Sequence, residues 1–152
     1  AYELIYPSSG FKSIEAGLQQ HISFQDPCDF SGKSVLQHKL DCKDITISFY
    51  GLRLDRDAVG LATRNSDCTD DILSRVYWRS TSVFSAWSKI GCASSICASP
   101  SPNGYIALAF LDNALATLGQ TVSAELPNSD GIIISEVPAK ITGTPFINIR
   151  RF

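Results

Sequence analysis

The chain has 152 residues, which is a typical length for one domain. With 44% hydrophobic and 18% charged residues, it is neither a disordered tail nor a coiled coil. A formal net charge of −2 offers no basic surface for nucleic acid and no polybasic patch for a membrane. Since no apolar run approaches the roughly 20 residues of a membrane span, we expect one globular domain, residues 1–152, with no span.

The absence of methionine and the number of cysteines predict an exported protein. A secretory signal that has been removed would explain a chain without Met, and Ala1 is the kind of small residue found beside such a cleavage site. Five cysteines spread along the chain are typical of an oxidising compartment. We therefore predict a secreted or periplasmic protein, with buried free thiols as the alternative.

The cysteine spacing suggests two disulfide bonds and one unpaired thiol. Cys92 and Cys97 enclose only Ala-Ser-Ser-Ile, which favours a local bridge. Cys28 and Cys42 would close a loop of about 15 residues, which would stabilise the fold by up to about 3 kcal/mol. Cys68 is then left without a partner.

In the first half of the chain the clearest element is a strand over 45–54, where apolar and polar residues alternate. Residues 2–6 read as a short strand, and 11–20 as a modest helix. The segment 55–60 has the Asp-x-Asp-x-x-Gly spacing that opens a calcium loop. Because the later acidic positions of such a loop are missing, we expect a solvated turn there and no metal site.

In the second half the apolar spacing predicts a helix over 71–90, ended by Gly91. The alternative is two strands, since 76–78 and 81–84 are rich in strand-forming residues. An Ala-rich and Leu-rich stretch, 105–118, favours a buried helix, with a strand over 105–110 as its alternative.

The end of the chain predicts a hairpin of strands 121–126 and 132–137, joined by a five-residue turn and ended by Pro138. Strands near both ends with helices between them indicate an α+β fold. We expect one compact domain with a mostly antiparallel sheet, two to three helices and disulfide bonds.

Function is predicted mainly from the lack of catalytic motifs and from the signs of export. A cofactor-free binding domain is expected, of the adhesin, toxin-associated, effector or inhibitor kind, which contacts a protein or glycan outside the cytoplasm. Arg and Trp are typical anchors of such interfaces, and 90–111 contains no charged residue. The candidate contact residues are Arg75, Trp78, Arg79 and Ile96.

Two alternatives remain open at this stage. The first is a small secreted metal-free hydrolase, ribonuclease-like, in which His21 and His38 are general acid and base and Lys33 or Lys39 stabilises the phosphorane. The second is a pilus or coat subunit that assembles through its strand-forming ends, which would make the protein a homo-oligomer.

Overall fold

The computed structural model describes residues 14–15, 18–24, 29–42, 45–66, 80–100, 104–128 and 130–146. In this part of the chain a 3-10 helix, Leu18–His21, precedes the regular elements. No helix in these ranges is long and apolar enough to cross a membrane. The elements are α1 (Lys33–Asp41), β1 (Ile47–Leu54), α2 (Arg56–Asn65), β2 (Thr81–Ser85), β3 (Ser88–Ser99), β4 (Gly104–Asp112), β5 (Thr121–Pro127) and β6 (Ile133–Thr142).

The six strands form a closed barrel in the order β1-β4-β3-β2-β5-β6, and every neighbouring pair is antiparallel. Closure leaves no strand edge unpaired. Alternate residues point into the barrel along most of β6, so that Val137, Ala139 and Ile141 are buried while Glu136, Pro138 and Lys140 are exposed. The core is therefore the barrel interior.

Strand β1 closes the barrel, because it pairs with β4 along its full length and with β6 through residues 51–54. Where β6 joins it, Gly51 allows a close approach. A Cβ there would lie 2.6 Å from the Phe146 ring and 2.8 Å from Thr142 Oγ1. A side chain at this position would therefore push the closing segment away.

The predicted α+β fold is wrong, because the sheet closes on itself and the described part of the predicted central helix is not helical. Residues 81–90 of the predicted helix form β2, a tight turn and the start of β3. Thr81, Val83 and Phe84 favour a strand, and this preference outweighs the apolar spacing of 3.6 residues. Residues 71–79 of that helix lie outside the described ranges, as does the predicted strand 2–6.

The helix predicted over 105–118 is also wrong, since Gly104–Asp112 is strand β4. Ala107 and Ala109 suggested a helix, but both point into the barrel and are fully buried. The interior of a barrel with few strands is narrow and takes small side chains. Packing therefore overrides the helix propensity of alanine.

The strands predicted over 45–54 and 121–126 are confirmed, and so is the hairpin that joins β5 to β6. Pro138 does not end β6, however. Its carbonyl accepts a hydrogen bond from the Asp55 N–H at 2.8 Å, on the side where pairing with β1 begins only at Ala139. In any other residue the backbone N–H would point to this same side, away from β5. The missing N–H of Pro138 therefore removes no hydrogen bond between β5 and β6.

Residues 55–60 do not form the predicted solvated turn, because they are the N-cap and the first residues of α2. Asp55 caps α2, and its Oδ1 accepts a hydrogen bond from the Ala58 N–H at 2.9 Å. Val59, Ala62 and Thr63 of this helix are buried, and the helix packs against β6. The aspartates are thus explained by helix capping and by the helix dipole.

The predicted disulfide bonds are wrong where the structure describes their cysteines. Cys92 and Cys97 are both free and lie on one strand, β3. Their partners on β4, Phe110 and Ile106, are four strand residues apart, a span of about 13 Å, whereas the two Cα atoms of a disulfide lie within about 7 Å. Cys42 is free and exposed. Its predicted partner Cys28 and the leftover Cys68 lie outside the described residues.

Thiol alkylation in the native protein should separate these cysteines by rate. Burial raises the pKa of the Cys97 thiol above its ordinary value, so less thiolate is present at neutral pH. We expect Cys42 to react at least about tenfold faster than Cys97. The rate at Cys97 should continue to rise at pH values above those at which an ordinary thiol has already lost its proton. Peptide mass spectrometry of samples quenched over time measures both rates, and equal rates would contradict the described burial.

Two glycine substitutions should have opposite effects on stability. At Gly91, a Cβ would collide with the Phe110 carbonyl and lie 2.9 Å from Leu111 Cα. Gly91→Ala should therefore lower the free energy of unfolding by about 1–3 kcal/mol. Gly60→Ala is the matched control, because its Cβ would meet only Arg64 Nη2, at 3.9 Å, on a helix. It should raise stability by about 0.5–1 kcal/mol. Urea unfolding measures both, and an unchanged Gly91→Ala midpoint would contradict the close packing of β3 on β4.

Candidate functional site

The turn between β2 and β3 has a conformation that its residues disfavour. Ser85 pairs with Ser88, so Ala86 and Trp87 are the only two residues of the loop. Their φ angles are 46° and 73°, the left-handed values that a type I′ turn requires at both positions. Asn-Gly is the usual pair in such a turn. A residue with a larger side chain in this left-handed conformation lowers the free energy of unfolding by roughly 1–3 kcal/mol at each position.

The Trp87 side chain is fully exposed, at 100% of its reference surface. It therefore contributes nothing to the core, while its backbone costs stability. Neither the conformation nor the exposure of this tryptophan is explained by folding. Strained backbone and exposed aromatic side chains are both enriched at binding sites. The turn is thus the first candidate for function.

A cleft of about 520 Å³ lies beside this turn, on the outer wall of the barrel. Phe84 and Trp87 supply aromatic surface, and Glu136 is the one charged residue among the described lining residues. We call this the Trp87 cleft. It is lined by Phe84, Ser85, Ala86, Trp87, Thr121, Val122, Ser123, Glu136 and Pro138.

The strands place negative charge beside these aromatic rings. Glu136 points outward from β6 and accepts a hydrogen bond from Ser123 Oγ at 2.8 Å. Directly opposite on β5 lies Glu125, whose Oε2 accepts the Ser82 N–H at 2.6 Å. Like charges that face each other across two strands are destabilising. Glu125 and Glu136 therefore concentrate negative charge on this part of the outer wall, while Lys140 and Lys89 are the cross-strand neighbours of the lining residues Thr121 and Phe84.

A glutamine fixes the position of the turn. Gln120 Nε2 donates to Ser85 Oγ at 2.9 Å, and its Oε1 accepts the Thr117 N–H at 2.9 Å. Its backbone carbonyl also accepts the Ile141 N–H at 2.9 Å, which ties the loop before β5 to the end of β6. The cleft is thus built on paired strands and one braced loop, which is a rigid support.

A second groove, of about 510 Å³, lies on the other side of the β2–β3 hairpin. It includes Lys89 and Asp112, which carry opposite charges, and Cys92, which is half-buried. Phe110 forms its apolar wall and stacks on Phe49 with ring centroids 5.2 Å apart. No exposed aromatic residue or excess of one charge distinguishes this groove among the described lining residues.

The residues predicted for a hydrolase site lie in the N-terminal part of the chain. His21 is exposed at the end of the 3-10 helix. His38 and Lys39 are on α1, where His38 Nε2 is 3.6 Å from Cys42 Sγ. Lys33 begins the same helix. The structure thus brings His38 together with a cysteine that was predicted to be bridged.

Among the predicted binding residues, only Ile96 lies in the described part of the chain. Ile96 is fully buried in the barrel core, so it cannot contact a partner. Arg75, Trp78 and Arg79 lie outside the described residues. Trp87 and Glu136, which the structure brings to one cleft, were missed because 71–90 was read as one helix with Trp87 on its buried stripe. The signal that could have found them is the two-residue gap between Thr81–Ser85 and Ser88.

The described residues show no concentration of reacting groups. None of their His, Cys, Asp and Glu side chains form a group of three or more that could hold a metal ion. Burial raises the pKa of the Cys97 thiol, which makes it a poorer nucleophile at neutral pH. The Trp87 cleft offers aromatic surface and one carboxylate, which suit recognition by contact and charge.

Replacing the strained turn should stabilise the barrel. In the double variant Ala86→Asn/Trp87→Gly both residues favour the left-handed conformation, so we expect about 1–2 kcal/mol of added stability. Trp87→Ala alone is the matched control. It removes the exposed ring but keeps a Cβ at the turn, so its stability should change by less than about 0.5 kcal/mol. Denaturant unfolding measures both variants, and a double variant less stable than the parent would contradict the type I′ assignment.

Comparison with known proteins identifies the barrel. The family model described as the glycine cleavage T-protein C-terminal barrel domain matches residues 51–148. Among solved structures, aminomethyltransferase T of the glycine cleavage system from Bartonella henselae is similar, with a TM-score of 0.64 and 18% identity. That match covers 93% of this chain and 33% of the other, so the chain spans about a third of that protein. Comparison with curated protein sequences finds no match.

The family match also corrects the prediction of function. A family of the glycine cleavage system is a metabolic one, typical of the cytoplasm and the mitochondrion. The predicted secreted or periplasmic location is therefore wrong. So is the disulfide-bonded binding domain, and with it the secreted hydrolase and the pilus or coat subunit offered as alternatives. Since the matched region runs from β1 to beyond β6, the chain belongs to the family of glycine cleavage T-protein C-terminal barrel domains.

Proposed function

We propose that this chain acts as the C-terminal barrel of an aminomethyltransferase of the glycine cleavage type. The observation that carries the proposal is the family match over residues 51–148, which includes the second half of β1 and all of β2 to β6. In this role the barrel supplies a rigid wall that positions the reactants, and the reacting groups come from the rest of the enzyme.

The share of the enzyme that the barrel represents supports this division of labour. The chain corresponds to 33% of the Bartonella henselae aminomethyltransferase, so most of that enzyme lies outside the barrel. The part of the chain that the structure describes has no metal-binding group of three or more His, Cys, Asp or Glu residues. Holding reactants in place is itself a large part of catalysis, and a small displacement can cost about 100-fold in rate.

Rigidity is what the described fold provides. The barrel is closed, and Leu52, Val83, Ile96 and Leu111 are fully buried within it. A densely packed interior resists deformation. Surfaces built on it, including the Trp87 cleft, are therefore held in fixed relative positions.

A barrel exchange tests the proposal. All 152 residues replace the C-terminal barrel of the Bartonella henselae enzyme, and the turnover of a ¹³C-labelled aminomethyl donor is followed by NMR. The chimera should exceed the enzyme truncated before its barrel by about tenfold or more, because positioning is restored. The 152-residue chain alone should show no turnover.

Two results would contradict the proposal. One is a chimera that is folded by circular dichroism and size-exclusion chromatography yet no more active than the truncated enzyme. The other is turnover by the isolated chain, which would place the reacting groups within the barrel itself.

A further inference from the structure

We propose that the Trp87 cleft binds a small free alkylammonium ion. This proposal is independent of the proposed function, in which the barrel positions the reactants of a larger enzyme. It concerns the outer wall of the barrel, so it stands or fails separately from the proposed function.

The first support is the placement of aromatic surface. Trp87 is fully exposed at the tip of the hairpin, and the half-buried Phe84 lines the same cleft. The negative face of an aromatic ring attracts a cation, and Trp is the most effective of these rings. Sites for alkylammonium groups commonly combine two or more aromatic side chains in this way.

The second support is the charge of the cleft. Glu136 is the only charged residue among its described lining residues, and no lysine or arginine is among them. Glu125 faces Glu136 across the β5–β6 ladder and adds a second negative charge on the same wall. A cationic occupant would relieve the repulsion between these carboxylates, whereas an anionic occupant would increase it.

The third support is that the carboxylate is already held in place. Ser123 Oγ donates a hydrogen bond of 2.8 Å to Oε2 of Glu136, which orients the side chain on the strand. An oriented acceptor loses less conformational entropy on binding than a free one. The second carboxylate oxygen can accept a hydrogen bond from an ammonium group, which carries up to three donors.

The remaining apolar lining selects an alkyl chain rather than a bare ion. Pro138 lines the cleft together with Phe84. A volume of about 520 Å³ lies within the range of small-molecule sites. The combination of an apolar floor, an aromatic ring and one carboxylate fits an amine with a hydrocarbon stem.

NMR titration of the 152-residue chain with n-butylammonium tests the proposal. The chain has two tryptophans, so the indole N–H signal of Trp87 is identified by its loss in Trp87→Phe. We expect a saturable shift of this signal with a Kd on the order of 1–10 mM. Butyrate should give no saturable shift, and n-butanol should bind at least about threefold more weakly.

Two variants with the same change in charge separate the site from a general electrostatic effect. Glu136→Gln should weaken binding about fivefold. Asp130→Asn is the control, because Asp130 is an exposed carboxylate in the β5–β6 turn, beyond the opposite end of both strands. It should leave the Kd unchanged. Trp87→Ala, followed through the amide signals of Ser123 and Glu136, should weaken binding about three- to tenfold.

Three outcomes would overturn the proposal. They are the absence of a saturable shift, equal binding of n-butanol and n-butylammonium, and equal weakening by Glu136→Gln and Asp130→Asn. Equal binding of the neutral probe would instead mark the cleft as a purely apolar contact surface. None of these outcomes affects the barrel-exchange result.

Discussion

The pairing of β1 with both β4 and β6 is the interaction on which the rest of the structure depends. It converts a six-stranded antiparallel sheet into a barrel with no free edge. Because so few strands enclose little space, the interior accepts small residues at Ala93, Ala107, Ala109, Ala124 and Ala139. Closure also requires close approaches, which Gly51 and Gly91 permit.

This narrow interior decides which elements could be predicted from the sequence. The strands β1 and β5 were predictable because their polar and apolar residues alternate and turn residues follow them. Strand β4 was predicted only as the alternative to a helix, because inward alanines look like helix formers when the space they fill is unknown. The disulfide prediction failed for a similar reason, because the sequence alone does not show that both cysteines lie on one strand. Cys92 and Cys97 are close in sequence, but an extended β3 keeps them apart.

The candidate site was hidden for a related reason. Read as a helix, residues 71–90 place Trp87 on an apolar stripe, whereas a two-residue turn exposes it completely. Only the left-handed φ angles of Ala86 and Trp87 reveal that the turn is strained, and no pattern of residue types encodes them directly. Glu136 gains its role from the register of β5 and β6, which brings it opposite Glu125.

The described interior of the barrel is filled by buried side chains such as Leu52, Ile96 and Leu111. Both described clefts lie on the outer wall, and the β2–β3 hairpin separates them. One side of that hairpin carries Lys89 and Asp112, whose charges offset each other; the other carries Glu136 beside an exposed tryptophan. The closed core supplies the stability that offsets a strained turn, and the turn holds Trp87 beside the charged wall.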